Sequence, residues 1–113
     1  MVFTNYLLIE GHVMNGRVEG NLSVSRTLGD FYMEPYVTCK PDSFYEEVEE
    51  GDLILICCDG VWDEIEDEEA IQFVLSSLET DNSLFKAATF LRDAAYQMGS
   101  TDNISVILLQ RCE

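Results

Sequence analysis

A run of six apolar or weakly polar residues, 53–58, constrains the fold more than any other stretch of the sequence. Its length and its lack of charge predict a short strand that is buried on both faces. Asp59 and Gly60 follow the run directly. A strand that is covered on both sides has no polar reason to end in an aspartate. We therefore expect Asp59 where the strand leaves the core, and we expect Gly60 to let the backbone bend or approach another segment.

A second short strand is predicted at residues 103–109, and Asp102 precedes it. If the two strands are adjacent and antiparallel, the end of the first lies beside the start of the second. Asp59 and Asp102 would then meet at one edge of the sheet, within the distance of cross-strand neighbours. Two carboxylates that lie so close repel each other unless a proton or a cation lies between them. This pair is the main candidate for a functional site.

Two amphipathic helices are predicted between these strands. In residues 67–78, apolar side chains recur at helical spacing at Ile71, Val74, Leu75 and Leu78. Residues 84–98 form the second predicted helix, which ends at Gly99 and packs through Leu84, Ala87, Ala88, Leu91, Ala94 and Ala95. The acidic residues at 63–69 are explained by the first helix start, and their spacing does not match a calcium loop. The order of elements predicts an α+β fold with an antiparallel returning strand.

The segment before residue 50 is less regular. Val18, Leu22 and Val24 alternate with polar residues and predict a half-buried strand within residues 16–30, punctuated by glycines. This stretch is either a hairpin region with turn glycines or a segment that places Arg26 and Asp30 near a site. Residues 35–39 and 44–48 are predicted to be two further short strands.

The charge balance restricts the classes of partner that we expect, and the cysteines indicate the cellular compartment. The chain has 113 residues, enough for one domain, and 22 acidic against 6 basic residues give a net charge of −16. Such a chain is expected to avoid nucleic acid and anionic membranes. Its four cysteines include no Cys-x-x-Cys pair, and no apolar run approaches the ~20 residues of a membrane span. We expect reduced thiols and a cytoplasmic or nuclear location.

The sequence lacks the residues that several classes of catalytic site require. No arginine stands six positions after Cys39, Cys57 or Cys58, as a cysteine-based phosphatase loop would need. His12 is the only histidine, without a nucleophile-elbow motif, and no glycine-rich phosphate loop is present. Oxygen-ligand metal chemistry through Asp59, Asp102 and Asp63 remains, and carboxylates favour hard cations such as Mg²⁺ or Mn²⁺. Spacing alone leaves open that Asp-Gly and Asp-Asn are ordinary turn residues.

Three stretches together carry a family resemblance. Residues 17–30 (RVEGNLSVSRTLGD), 53–63 (LILICCDGVWD) and 99–106 (GSTDNISV) resemble three successive motifs of the type 2C protein phosphatases, the metal-dependent PPM family. The order and the spacing of the motifs also match, including the helical segment between the last two. The resemblance covers nearly the whole chain from about residue 9.

The resemblance implies a hydrolase that removes phosphate from phosphoserine and phosphothreonine in proteins, using a metal-activated water. Asp59 and Asp102 match two ligands of the family's binuclear Mg²⁺ or Mn²⁺ centre, and Asp63 matches a residue at a weaker third ion. Asp30 closes a motif of mainly structural role, and no residue is assigned a catalytic part. The implied fold is a partial PPM-type β-sandwich with antiparallel strands and two flanking helices.

The resemblance also implies an incomplete domain. Residues 1–113 match only the C-terminal part of a PPM-type domain, and its N-terminal half would supply the remaining metal ligands and the arginine that binds substrate phosphate. We therefore expect a truncated phosphatase domain that is inactive alone. The alternative is a non-catalytic module, or pseudophosphatase, that docks on a partner protein. In both cases missing strands leave apolar sheet faces uncovered, for a complementary N-terminal half or another protein to cover.

Overall fold

The structure is a computed structural model that describes residues 11–112. The chain divides into two units, one ending at Tyr45 and the other beginning at Glu46. Within the described residues, the longest helices have 15 residues, and none is long and apolar enough to cross a membrane.

The first unit contains little regular structure. Strands β1 (Val13–Met14) and β2 (Arg17–Val18) pair antiparallel. The two residues between them, Asn15 and Gly16, both have positive φ, as the tight type I′ hairpin turn requires. A 3₁₀ turn follows at Phe31–Met33, and the small core of this unit consists of Val18, Met33 and Val37.

Two of the short strands that were predicted before residue 50 are wrong. Residues 35–39 contain only an isolated bridge, in which Thr38 pairs with Arg26, and residues 44–48 form no strand. Tyr45 is fully exposed and Phe44 is 80% exposed, so the apolar residues of the latter segment do not build a face that would hold a strand in place. The predicted strand around Val18 is present but only two residues long.

The second unit contains one antiparallel strand pair and three helices. Strand β3 (Leu53–Cys57) pairs with β4 (Val106–Gln110), and Cys57 lies opposite Val106. Between them are α1 (Asp59–Trp62), α2 (Asp67–Asp81) and α3 (Leu84–Met98). The α+β class and the antiparallel return are confirmed. The two predicted helices are present, and α1 is an additional short helix that was not predicted from the sequence.

The strand pair has two unlike faces. The inner face belongs to the same core as the buried residues of α2 and α3, and it is formed by Leu53, Leu55, Cys57, Val106 and Leu108. The outer face is exposed and is formed by Ile54, Ile56, Ile107 and Leu109. The prediction of a strand buried on both faces is therefore wrong for this chain, because the helices of the second unit cover only one face. The uncovered apolar face that the family resemblance implied is present.

The helices build most of the core of the second unit. The buried face of α3 is the predicted one, with Ala87, Leu91 and Ala95 completely buried. In α2, however, Ala70 and Val74 are buried while Ile71 and Leu75 are about 40% exposed. The ring of Phe73 packs edge-on against Phe90 of α3, with centroids 5.7 Å apart. The face that α2 buries therefore differs from the face that the spacing of its aliphatic residues predicted, and the contact of Phe73 with Phe90 accompanies this difference.

Candidate metal centre

The strand ladder continues beyond β3 and brings the segment before α1 to the segment before β4. The amide of Cys58 donates to the carbonyl of Ser105 at 3.3 Å, one step past the Cys57–Val106 pair. Helix α1 then begins at Asp59. The end of β3 and the start of β4 are therefore neighbours, as the antiparallel pairing predicted.

A close backbone contact joins the two segments at this end. Gly60 is buried, and a Cβ added to it would lie 2.3 Å from the carbonyl oxygen of Asn103. Only glycine allows this approach without a shift of the backbone. Of the two roles expected for Gly60, the structure shows the close approach to another segment. Gly60 follows Asp59 and Asn103 follows Asp102, so the contact brings together the segments that carry the two predicted ligands.

Both aspartates of the pair are exposed. A carboxylate oxygen of Asp102 accepts a hydrogen bond from the amide of Asn103 at 2.6 Å, which fixes the side chain close to its own backbone. No hydrogen bond from residues 11–112 to the carboxylate of Asp59 is present, so its lone pairs stay available for a cation or for water.

Asp63 lies one helical turn after Asp59. Its amide donates to the carbonyl of Asp59 at 2.9 Å, at the end of α1. Residues four apart on a helix are neighbours on one side of it. In the described part of the chain, no group of three or more histidine, cysteine, aspartate or glutamate side chains is arranged to hold a metal ion. The three aspartates together therefore do not form a closed cage, and the role of Asp63 at a weaker site stays a prediction.

The chemistry of the pair suits a partly hydrated hard cation. Mg²⁺ is commonly bound by one or two protein carboxylates while water and substrate oxygens fill its remaining positions. Asp59 and Asp102 supply two carboxylates on neighbouring segments, open to solvent. The donor set present fits such an ion as a partial site, with further ligands needed for tight binding.

Two residues that support this site were not predicted from the sequence. The indole nitrogen of Trp62 donates to the carbonyl of Cys57 at 3.0 Å, which fastens α1 to the end of β3. The thiol of Cys58 bonds to backbone groups of Asn103 and Ser105. A signal for Cys58 was present, because adjacent residues of a strand point to opposite faces, so only one of Cys57 and Cys58 can lie on the inner face.

Cys57 and Cys58 indeed differ. Burial, and to a smaller extent the neighbouring Cys58, raises the pKa of the Cys57 thiol from 9.0 to about 11. Cys57 is therefore protonated at neutral pH and behaves as a small apolar side chain of the inner face. All four cysteines, 39, 57, 58 and 112, are free thiols.

The residues of the first unit that were considered for the site have local partners. Arg26 forms an ion pair with Asp42 at 2.7 Å. A carboxylate oxygen of Asp30 accepts from the hydroxyl of Thr27 at 3.2 Å, and Asp30 adopts positive φ before the 3₁₀ turn. These contacts agree with a structural part for Asp30.

Comparison with known proteins identifies relatives of this chain. The family model of Protein phosphatase 2C matches residues 9–104. Protein phosphatase 1B of Mus musculus is 38% identical over 110 residues, which cover 88% of this chain and 28% of that protein. Protein phosphatase 1A of Homo sapiens is 41% identical and is covered to 29%. A PP2C-like domain-containing protein, R307 of Acanthamoeba polyphaga mimivirus, is 39% identical, covering 80% of this chain and 60% of that protein.

A solved structure shares the fold. A chain described as the structure of a C. elegans sex determining protein superposes with a TM-score of 0.74 at 30% sequence identity, covering 88% of this chain and 26% of that one. The present chain thus spans between a fifth and a third of the length of the protein phosphatase 1A and 1B relatives named above.

Proposed function

Because this chain belongs to the protein phosphatase 2C family, we propose that it carries the late metal-binding motifs of a protein serine/threonine phosphatase. The observation that carries the proposal is the contact of Gly60 with Asn103, which puts the Asp59 segment beside the Asp102 segment. Phosphoserine and phosphothreonine in proteins are the proposed substrates, as the family implies.

We propose that Asp59 and Asp102 hold Mg²⁺ or Mn²⁺, with Asp63 at a weaker third position. When bound, the ion supplies Lewis-acid chemistry: it lowers the pKa of water and neutralises charge on phosphate oxygens. The chain's own residues orient the two carboxylates. Gly60 permits the close approach, Trp62 fixes α1 to β3, and the hydrogen bond from the amide of Asn103 restrains Asp102.

We further propose that the chain is inactive, or nearly so, without residues from a complementary N-terminal half. Two carboxylates bind a divalent ion weakly, because affinity rises with the number and charge of the ligands. The described residues also offer no metal cage of three or more such side chains. Phosphate binding by an arginine is expected from the complementary half.

The first test is a calorimetric titration of the 113-residue chain with Mn²⁺. Wild type is expected to show saturable weak binding, and Asp59→Asn combined with Asp102→Asn is expected to abolish it. The matched control is Glu68→Gln combined with Glu69→Gln, which removes the same charge from exposed positions of α2. This control is needed because a net charge of −16 attracts cations without a specific site.

Two results would contradict the proposal. If both double variants bind Mn²⁺ as wild type does, the aspartate pair holds no ion. If the chain alone dephosphorylates a phosphopeptide with Mn²⁺ and Asp59→Asn abolishes this activity, the chain is a phosphatase by itself and the proposed inactivity is wrong.

The outer face favours a second candidate function, a non-catalytic module that docks on a partner protein. Four aliphatic side chains, Ile54, Ile56, Ile107 and Leu109, stand together on it, each 39 to 53% exposed. A sheet face of this kind suits a partner that adds an apolar layer. The complementary part of a phosphatase domain is the proposed partner.

Sedimentation and dye binding test this second candidate. It predicts self-association at high concentration, or fluorescence of an apolar dye that Ile56→Lys reduces. A strict monomer that binds no dye would contradict it. The two candidates differ in their dependence on Asp59 and Asp102, which docking through the outer face does not need.

A further inference from the structure

The side chain of Cys58 spans the two segments of the candidate metal centre. Its thiol donates to the carbonyl of Asn103 at 3.1 Å and accepts from the amide of Ser105 at 3.2 Å. The amide of Cys58 donates to the carbonyl of Ser105 at 3.3 Å. One residue therefore makes three hydrogen bonds to the three-residue stretch that follows Asp102.

These bonds lie where the paired strands end. The last paired residues of β3 and β4 are Cys57 and Val106, and only the backbone bond from Cys58 to Ser105 follows them before the two segments diverge into α1 and into the loop that contains Asp102. At such a point the regular backbone bonds stop, so side-chain bonds decide how far the segments separate. The Asn103 carbonyl that Cys58 binds is also the atom that Gly60 approaches.

We propose that Cys58 is a positioning residue that holds the Asp102 segment against the Asp59 segment through its thiol. Cys58 immediately precedes Asp59, and its partner Asn103 immediately follows Asp102. The thiol bridge thus sets the separation of the two carboxylates without itself touching the ion. The inference rests on the proposed function only where it concerns metal affinity, since the bridge itself is a property of the fold.

The chemistry of the bridge specifies which substitutions preserve it. The group at position 58 must both donate and accept, because its two partners are a carbonyl and an amide. A serine hydroxyl meets both requirements, whereas alanine meets neither. Loss of a group that orients metal ligands typically lowers metal affinity 10- to 100-fold. We expect a loss of about tenfold for Cys58→Ala and a loss below about threefold for Cys58→Ser.

Cys57 supplies the matched control. It is the adjacent thiol of the same strand, but it packs on the inner face with the core. Cys57→Ala therefore removes a sulfur atom and some stability while leaving the bridge in place. Comparing Cys58→Ala with Cys57→Ala separates a change in position of the aspartates from a general loss of stability, which urea denaturation measures for each variant.

Two readouts on the ¹⁵N-labelled full chain test the proposal. The first is hydrogen exchange of the Ser105 amide, which we expect to be at least about tenfold faster in Cys58→Ala and close to wild type in Cys58→Ser and Cys57→Ala. The second is the Mn²⁺ affinity, from calorimetry and from paramagnetic broadening of the Asp59 and Asp102 amide signals. We expect the affinity to fall about tenfold in Cys58→Ala and by less than about threefold in Cys58→Ser and Cys57→Ala.

The outcomes separate the proposal from the proposed function. Unchanged Ser105 exchange in Cys58→Ala overturns the positioning role, as does an equal loss of Mn²⁺ affinity in Cys58→Ala and Cys57→Ala. If wild type binds no Mn²⁺, the proposed function fails, and the exchange of Ser105 then decides the role of Cys58 by itself. If Cys58→Ala does not fold while Cys57→Ala does, Cys58→Ser decides the proposal. Either a loss of the protection of the Ser105 amide from exchange or a loss of Mn²⁺ affinity in Cys58→Ser then overturns it.

Discussion

The inner and outer faces of the β3–β4 pair are alike in composition and opposite in burial. Leu108 on the inner face is 9% exposed, while its neighbour Ile107 on the outer face is 53% exposed. The helices of the second unit account for the difference, because they pack on one side only. The inner face thus stabilises this unit, and the outer face is a large aliphatic surface that the unit itself leaves open.

This difference explains why the apolar run was informative and also misleading. An uninterrupted apolar strand indicates two covered faces, and the sequence of residues 53–58 has that property. The second unit covers only the inner face of the strand pair. The proposed complementary half or another partner would cover the outer face.

The largest expected effect comes from truncating the two faces separately. Leu108→Ala should lower the free energy of unfolding by about 2 to 4 kcal/mol, because it leaves a cavity against the core. Ile107→Ala should change it by less than about 1 kcal/mol, since the side chain is half in solvent already. Urea denaturation of both variants measures the contrast. Equal losses would mean that the outer face is covered in solution.

The inner packing extends past the end of β3 to Gly60, where we expect the next largest effect. Gly60→Ala should cost about 1 to 3 kcal/mol, because the new methyl group would overlap the carbonyl of Asn103. Gly51→Ala is the control: it has φ of +90° and open space around its Cβ, so it reports backbone strain without overlap. The backbone amide NMR signals of residues 102–105 should shift in Gly60→Ala and stay unchanged in Gly51→Ala.

A smaller effect on stability is expected when the outer face is made polar. Ile56→Thr combined with Ile107→Thr should alter the free energy of unfolding by about 1 kcal/mol or less, since threonine also suits strands. The same double variant should lose most of its apolar-dye fluorescence. Leu55→Thr on the inner face should do the reverse, with a clear loss of stability. Unchanged dye binding in the double variant would place the open apolar surface elsewhere.

The contrast between faces also shows what the sequence could and could not predict. The bounds of α3 and its buried face were predictable because apolar residues recur at Leu84, Leu91 and Ala95 with strong helix formers between them. The face of α2 was not, because Phe73 competes with Ile71 and Leu75 for the interior and its ring packs on α3. That choice depends on a partner helix, which local periodicity does not contain.

The candidate site shows the same division. The meeting of the Asp59 and Asp102 segments followed from an antiparallel pairing of the two predicted strands, which the structure confirms. The thiol bridge of Cys58 did not follow, because a hydrogen bond to residues 103 and 105 depends on the exact register beyond the last ladder pair. The assignment of these aspartates as metal ligands stays a prediction.

The last effect, which changes stability only at alkaline pH, concerns the Cys57 thiol on the inner face. Its pKa is raised from 9.0 to about 11, mainly by burial. The folded chain therefore retains this proton more strongly than the unfolded chain. The resulting stabilisation is complete below pH 9 and is lost as the pH rises from about 9 to about 11, because the unfolded chain releases the proton first.

Alkylation by iodoacetamide, followed by peptide mass spectrometry, checks this pKa. Only the thiolate reacts, so at pH 8 Cys57 in the folded chain should react about a hundredfold more slowly than in the chain unfolded by guanidinium. Raising the pH towards 11 should close the gap. An outer-face position has no burial to raise a pKa, so a cysteine introduced by Ile56→Cys is the matched comparison. If Cys57 reacts as fast as the introduced cysteine at pH 8, the inner face is open to water and the contrast between the faces fails.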